Sequence, residues 1–166
     1  MGKIKFEEFH KDCIFSDDFT IKLFGGKKDQ RALITCEVLD DGKKYYSEGL
    51  FEFDSKGLID LSKIPPISGT YKGIDSKGLF GSIPDDFSNK STNDTPIVLR
   101  AYVKDKLECE YKTKIKYVKP GVKVSEVNDK NKQLYGTLFT PSGKSFKRCF
   151  LCIPGSSGVR AHIAAA

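Results

Sequence analysis

The constraint that dominates this sequence is a two-residue rhythm after Pro96. Ile97, Leu99, Ala101 and Val103 fall on one face of an extended chain, and Leu107, Cys109, Tyr111, Ile115 and Tyr117 continue the rhythm after a short turn at 104–106. Side chains of a strand point alternately to opposite faces, so this spacing predicts a hairpin with one buried and one wet face. Glu108, Glu110, Lys112, Lys114 and Lys116 occupy the wet positions. An antiparallel sheet is the architecture that tolerates such a face.

The same rhythm recurs upstream. Residues 19–24 alternate, Ala32, Ile34, Cys36 and Val38 share a face, and residues 45–53 lead through the turn Asp54-Ser55-Lys56-Gly57 into an extended piece at 58–61. From 64 to 94 the rhythm dissolves into Pro, Gly and small polar residues, a long stretch for an idle loop. A closing loop packed for stability and a functional loop are both open there. No amphipathic helical segment is evident before about residue 158. The expected fold is all-β, an antiparallel two-sheet β-sandwich of immunoglobulin-like size.

Pro120-Gly121 breaks the pattern, and a polar turn at 128–131 places a domain boundary near residue 128. The stretches 133–140 and 147–153 flank Pro141-Ser142-Gly143-Lys144 and read as a second hairpin. Cys149-Phe150-Leu151-Cys152-Ile153 reads as a continuous apolar strand, followed by a small-residue turn and an Ala-rich helical start. Strand, turn and helix are foreign to a sandwich and typical of an α/β sheet. Two units follow: a sandwich over 1–128, then the opening of an α/β sheet over 129–166.

Candidate chemistry is sparse. A hydrolase of that fold needs a G-x-S-x-G elbow with an acid and a His beyond it. Ser157 lies in Gly155-Ser156-Ser157-Gly158-Val159, which lacks that spacing, and no acidic residue follows it. His162 is the one histidine nearby. The turn Gly155, Ser156, Ser157, Gly158 can offer backbone N–H groups to an oxyanion at a helix start, or can simply connect a strand to a helix.

Five cysteines do not make the even framework of a secreted domain, so reduced thiols are expected. Cys149 and Cys152 form a lone C-x-x-C without further ligands, and in a strand they would point to opposite faces, which favours core cysteines over a metal site. No metal and no cofactor are expected. The net charge of +6 comes mostly from scattered Lys. The stripe Lys112, Lys114, Lys116 carries no aromatic residues on its face, and a solvated strand face gives the same pattern, so no nucleic acid partner is expected. The sequence has no apolar run of about 20 residues and begins without a signal peptide, so we expect no membrane partner and a cytoplasmic location.

The order of these features resembles the acyl-CoA thioester hydrolase and bile-acid-CoA:amino-acid N-acyltransferase family. Residues 69–84, GTYKGIDSKGLFGSIP, are similar to the family's most specific stretch at Gly69, Thr70, Tyr71, Gly73, Asp75, Gly78, Leu79, Ser82 and Pro84. Lys77 stands where the family usually has Met, and Gly81 where it usually has Trp. Residues 51–63, ending in Ile59-Asp60-Leu61, resemble the family's segment ending in Val-Asp-Leu, and 120–122 with 136–141 resemble its junction into the hydrolase domain.

The resemblance implies an immunoglobulin-like amino-terminal domain over 1–128 ahead of an α/β-hydrolase domain, of which 129–166 would be the first strands, incomplete; the parent enzyme cleaves acyl-CoA to fatty acid and CoA, or transfers the acyl group to an amino acid. Its nucleophile is a Ser, or a Cys in transferring members, activated by His and Asp. This chain carries no such set, so it is expected to be inactive alone, with acyl-CoA the substrate of the parent enzyme and a hydrolase domain in cis its partner. Exposed hydrolase strands are expected to self-associate. A non-catalytic binding or structural sandwich is the alternative.

Overall fold

A computed structural model describes residues 2–8, 17–40, 42–83, 95–116, 118–143 and 149–152. Ten strands and one short helix follow in order: β1 Lys5–Phe6, β2 Lys22–Phe24, β3 Arg31–Asp40, β4 Lys43–Glu52, β5 Leu58–Asp60, β6 Ser68–Gly69, α1 Gly78–Gly81, β7 Thr95–Val103, β8 Lys106–Ile115, β9 Val122–Asp129 and β10 Leu134–Pro141. They form a five-stranded sheet in the order β6-β4-β3-β7-β8, a three-stranded sheet β1-β2-β5 and a two-stranded sheet β10-β9. The strand pairings are antiparallel, as the alternating faces require.

One apolar cluster joins the first two sheets. Ile4, Phe6, Leu23 and Ile59 come from the smaller sheet and its approach, and Ala32, Ile34, Cys36, Val38, Phe51, Ile97, Leu99 and Ala101 from the larger. The residues named from the rhythm of β3 and β7 are all buried. Burial of one side chain of this size stabilises by roughly 1.5–3 kcal/mol, so this shared face is what holds the sheets in register.

The β7–β8 turn is the two-residue pair Lys104 and Asp105, at φ 49° and 62°, because Val103 pairs with Lys106. Both residues in the left-handed region match the twist of a tight hairpin. The register then slips between Ala101 and Tyr102, so Cys109 faces Ala101 while Leu107 faces Tyr102. Glu108 is the extra residue of this bulge, and the slip moves Leu107 out of the buried row to the outer face, 47% exposed. Lys112 and Lys114 are exposed, as the wet face requires, and Lys116 is half-buried.

Other expectations are corrected. The extended piece at 19–24 is a strand only over Lys22–Phe24. The unassigned stretch 64–94 contributes β6 and α1. β10 pairs with β9, with Leu134 opposite Asp129 and Pro141 opposite Val122, where a hairpin with 147–153 was expected; of that stretch only 149–152 are described. The polar residues at 130–133 supply the tight turn that makes neighbours of these two strands, with Gln133 at φ 51°. Residues 149–152 belong to no strand, and Cys149 and Cys152 are exposed where core positions were expected. Among the described residues no helix is long and apolar enough to cross a membrane, and no group of three His, Cys, Asp or Glu side chains could hold a metal ion.

Two buried carboxylates anchor the polar side of the fold. Asp60, 5% exposed, accepts hydrogen bonds from Thr20 Oγ1 at 3.2 Å, Ser62 Oγ at 2.6 Å and Ser62 N–H at 3.1 Å, and pairs with Lys63 at 3.2 Å. Burial alone would push its pKa up, but these donors outweigh it and hold it below the ordinary Asp range. Glu37 on β3 behaves alike: burial is outweighed by Arg100 at 3.0 Å, Lys44 at 3.2 Å and Tyr46. Arg100 also reaches Glu110 at 2.8 Å, and Lys112 meets Glu110 at 3.0 Å, so an ion-pair ladder crosses β4, β3, β7 and β8 on the outer face.

Because both pKa values are lowered in the folded chain, the unfolded chain binds protons more readily. The stability these carboxylates contribute is full at neutral pH and is lost as pH falls through the folded values, below about pH 4. Asp60→Asn should cost about 1–3 kcal/mol in urea unfolding at pH 7. That deficit should shrink as the pH is lowered toward 3; a constant deficit would show that Asp60 is not ionised in the fold.

Candidate functional site

The segment 69–83 brings Tyr71 and Leu79 against the inner side of β4. The inward row of β4 is Tyr45, Ser47, Gly49 and Phe51, so small residues interrupt an otherwise bulky row. That gap is where the segment sits. Gly69 pairs with Gly49, at φ 149°, and a Cβ on Gly69 would run into the Glu48 carbonyl. Both the backbone angle and the close approach therefore require glycine.

Thr70 clamps the next step. Its N–H donates to Glu48 O at 2.9 Å, its hydroxyl lies 3.1 Å from the same oxygen and accepts from Glu48 N–H at 3.2 Å, and Ser82 Oγ lies 2.7 Å away. Asp75 shapes the turn ahead of α1: its carboxylate accepts from Lys77 N–H at 2.8 Å, and its carbonyl accepts from Gly78 N–H at 3.2 Å. Inside α1, Leu79 is fully buried and its carbonyl accepts a hydrogen bond from the buried Ser47 hydroxyl.

Tyr71 stacks on this arrangement. Its ring lies where a Cβ of Gly78 would be, and 6.5 Å from the Phe51 ring. Its hydroxyl is buried without a hydrogen-bond partner among the described residues. Burial first, and then the Asp75 charge, push that hydroxyl up to about 12, so it stays protonated at neutral pH. On the far side Phe80 meets Phe19 edge-on at 5.8 Å, and Lys77 Nζ sits 5.0 Å over the Phe19 ring. The Lys that replaces the expected Met thus keeps contact with an aromatic face through its charge.

The structure brings Gly69, Tyr71, Asp75, Gly78, Leu79 and Ser82 together, while Gly73, at φ 82°, marks a turn with open space around it. Pro84, the turn Gly155, Ser156, Ser157, Gly158 and His162 lie outside the described residues. Ser47, which sequence reasoning missed, is the buried donor that receives the loop. Its signal was present: a Ser and a Gly at successive inward positions of a strand of large residues.

The polar side chains of this cluster are engaged in holding the loop. The hydroxyls of Ser47, Thr70 and Ser82 bond to backbone or to one another, and the Asp75 carboxylate caps a turn. Cys36, opposite Ser47 on β3, is fully buried, and its thiol is pushed up to about 12 by that burial, which keeps it unreactive.

Gly78→Ala should therefore destabilise the fold by about 1–3 kcal/mol, since Tyr71 must move to admit a methyl group. Gly81→Ala, where no atom lies within 4 Å of the new Cβ, should stay within about 0.5 kcal/mol. Urea midpoints measure both, and equal effects would sink the packing account.

No curated protein matches the chain. A family model described as the acyl-CoA thioester hydrolase/BAAT N-terminal region does match, over residues 16–129. That span runs from ahead of β2 to the end of β9 and contains the whole clamped loop. With the match covering well over half of its length, the chain belongs to the acyl-CoA thioester hydrolase/BAAT family, as a carrier of its N-terminal region.

Proposed function

We propose that residues 1–128 are the immunoglobulin-like β-sandwich of an acyl-CoA thioester hydrolase, a non-catalytic domain that supports an α/β-hydrolase domain in cis. The observation that carries this reading is the match to the N-terminal region over 16–129, whose end falls one residue past the expected domain boundary. The single core shared by the two larger sheets supports the sandwich, since two inner faces packed together are its defining feature. The hydrogen-bonded loop at 69–83 supports a positioning role.

Residues 129–166 are read as the opening of the hydrolase domain, with 155–158 as its oxyanion turn. Two features favour the assignment. Among the described residues β10 pairs only with β9, which reaches back across the expected boundary at 128; no described residue of this hairpin belongs to the core cluster, and Tyr135 and Leu138 are 59% and 54% exposed. An apolar hairpin detached from the core is a surface that a neighbouring sheet would cover. The parent enzyme would hydrolyse acyl-CoA to fatty acid and CoA, or pass the acyl group to an amino acid, in the cytoplasm and in fatty acid metabolism. Within these 166 residues no G-x-S-x-G elbow exists to hold the nucleophile.

Supplied with acyl-CoA and a thiol reagent that reports free CoA, the chain should release none above the uncatalysed rate. Robust turnover would overturn the reading. In size exclusion the 166-residue chain should self-associate at concentrations where a chain ending at Lys119, without the hairpin, stays monomeric; identical monomeric behaviour would count against the exposed hairpin as a docking surface.

A further inference from the structure

The C-x-x-C pair is a motif that the family reading does not absorb. Cys149 and Cys152 are both free and exposed, and the two residues between them, Phe150 and Leu151, are 94% and 83% exposed. Strand geometry had spoken against any joint chemistry of these thiols, and residues 149–152 are not in a strand.

Backbone dimensions make the difference concrete. Residues three apart in a strand are separated by about 10 Å, at about 3.3 Å per residue. A disulfide needs Cα atoms within about 4.4–6.8 Å. A turn, which brings Cα atoms three apart within about 7 Å, falls in reach of that window. The extended and the bridged forms of this segment therefore exclude each other.

We propose that Cys149 and Cys152 are a redox-active dithiol that closes to an intramolecular disulfide, and that closure fixes residues 149–152 in a turn that no sheet can recruit as a strand. The oxidant is a low-molecular-weight disulfide. One cysteine thiolate attacks it, forming a mixed disulfide and releasing one small thiol; the second cysteine thiolate attacks the mixed disulfide at the protein sulfur and releases the other. The two protons lost by the protein end on the two departing thiols, and the two electrons reduce the oxidant.

Burial makes the reaction selective among the described thiols. Cys36 is fully buried, and Cys109 is half-buried with its thiol pushed up first by that burial, so both are poor sources of thiolate. The bridge would act on the segment with the most exposed apolar side chains of the described chain, Phe150 and Leu151. Reduction would free it to extend and pair.

The test equilibrates the 166-residue chain with oxidised and reduced glutathione, alkylates the remaining thiols and maps the peptides by mass. The Cys149–Cys152 peptide should be lighter by two hydrogens and carry no glutathione. Cys149→Ser and Cys152→Ser should each retain one glutathione on the surviving cysteine, because the resolving thiol is gone. Wild-type chain that holds glutathione as stably as the single variants, or that keeps both thiols free where the variants are modified, overturns the dithiol. Amide exchange at Phe150 and Leu151 should stay fast in the oxidised chain; protection there overturns the claim that the bridge bars the strand.

Discussion

The bond from the buried Ser47 hydroxyl to the Leu79 carbonyl is the point on which the clamped loop at 69–83 depends. It links β4, an inner strand of the larger sheet, to the one helical turn of the described chain. Around it, small residues do the steric part: Gly49 and Gly69 let two backbones pair, and Gly78 lets the Tyr71 ring come close to α1. The hydroxyl supplies direction that apolar contact lacks, and a buried polar group left without its partner is costly. A single loop conformation is therefore selected over the alternatives that Gly-rich backbone would otherwise populate.

Much of the sheet was legible in the sequence because burial on one face forces a period of two. The apolar rows on β3 and β7 follow that rule, and Glu37 is buried on the opposite face of β3 under its ion pairs. Where the rule failed, a single residue was responsible: Glu108 inserts into β8 and inverts every face before it, so Leu107 emerges on the outside. No local pattern announces such an insertion, since it is visible only against the partner strand. The pairing of β10 was missed for a related reason. Two turn sequences flank it, at 130–133 and at 141–144, and sequence alone does not rank them.

The candidate site was legible in a different way. The residues of the 69–84 stretch stood out through their resemblance to a family pattern, while their physical roles did not. Thr70 and Asp75 act on backbone groups close by, and Tyr71 acts through its ring on a glycine seven positions later. Ser47 was invisible to motif reasoning, because it lies on a strand far from the motif. The two departures proved mild: Lys77 finds the Phe19 ring, and Gly81 faces open space. The net charge was equally uninformative about partners, since Arg100, Lys44 and Lys112 neutralise carboxylates on the same outer face.

The bulge in β8 carries a further meaning for how such chains live at high concentration. β8 ends the five-stranded sheet, and a long flat strand in that position would offer its unpaired backbone to any other extended chain. The extra residue increases the local twist, and the run of Lys and Glu along β8 raises the cost of bringing a second such edge alongside. The largest sheet among the described residues is thereby kept from growing by one strand at a time, which is the first step toward a fibril.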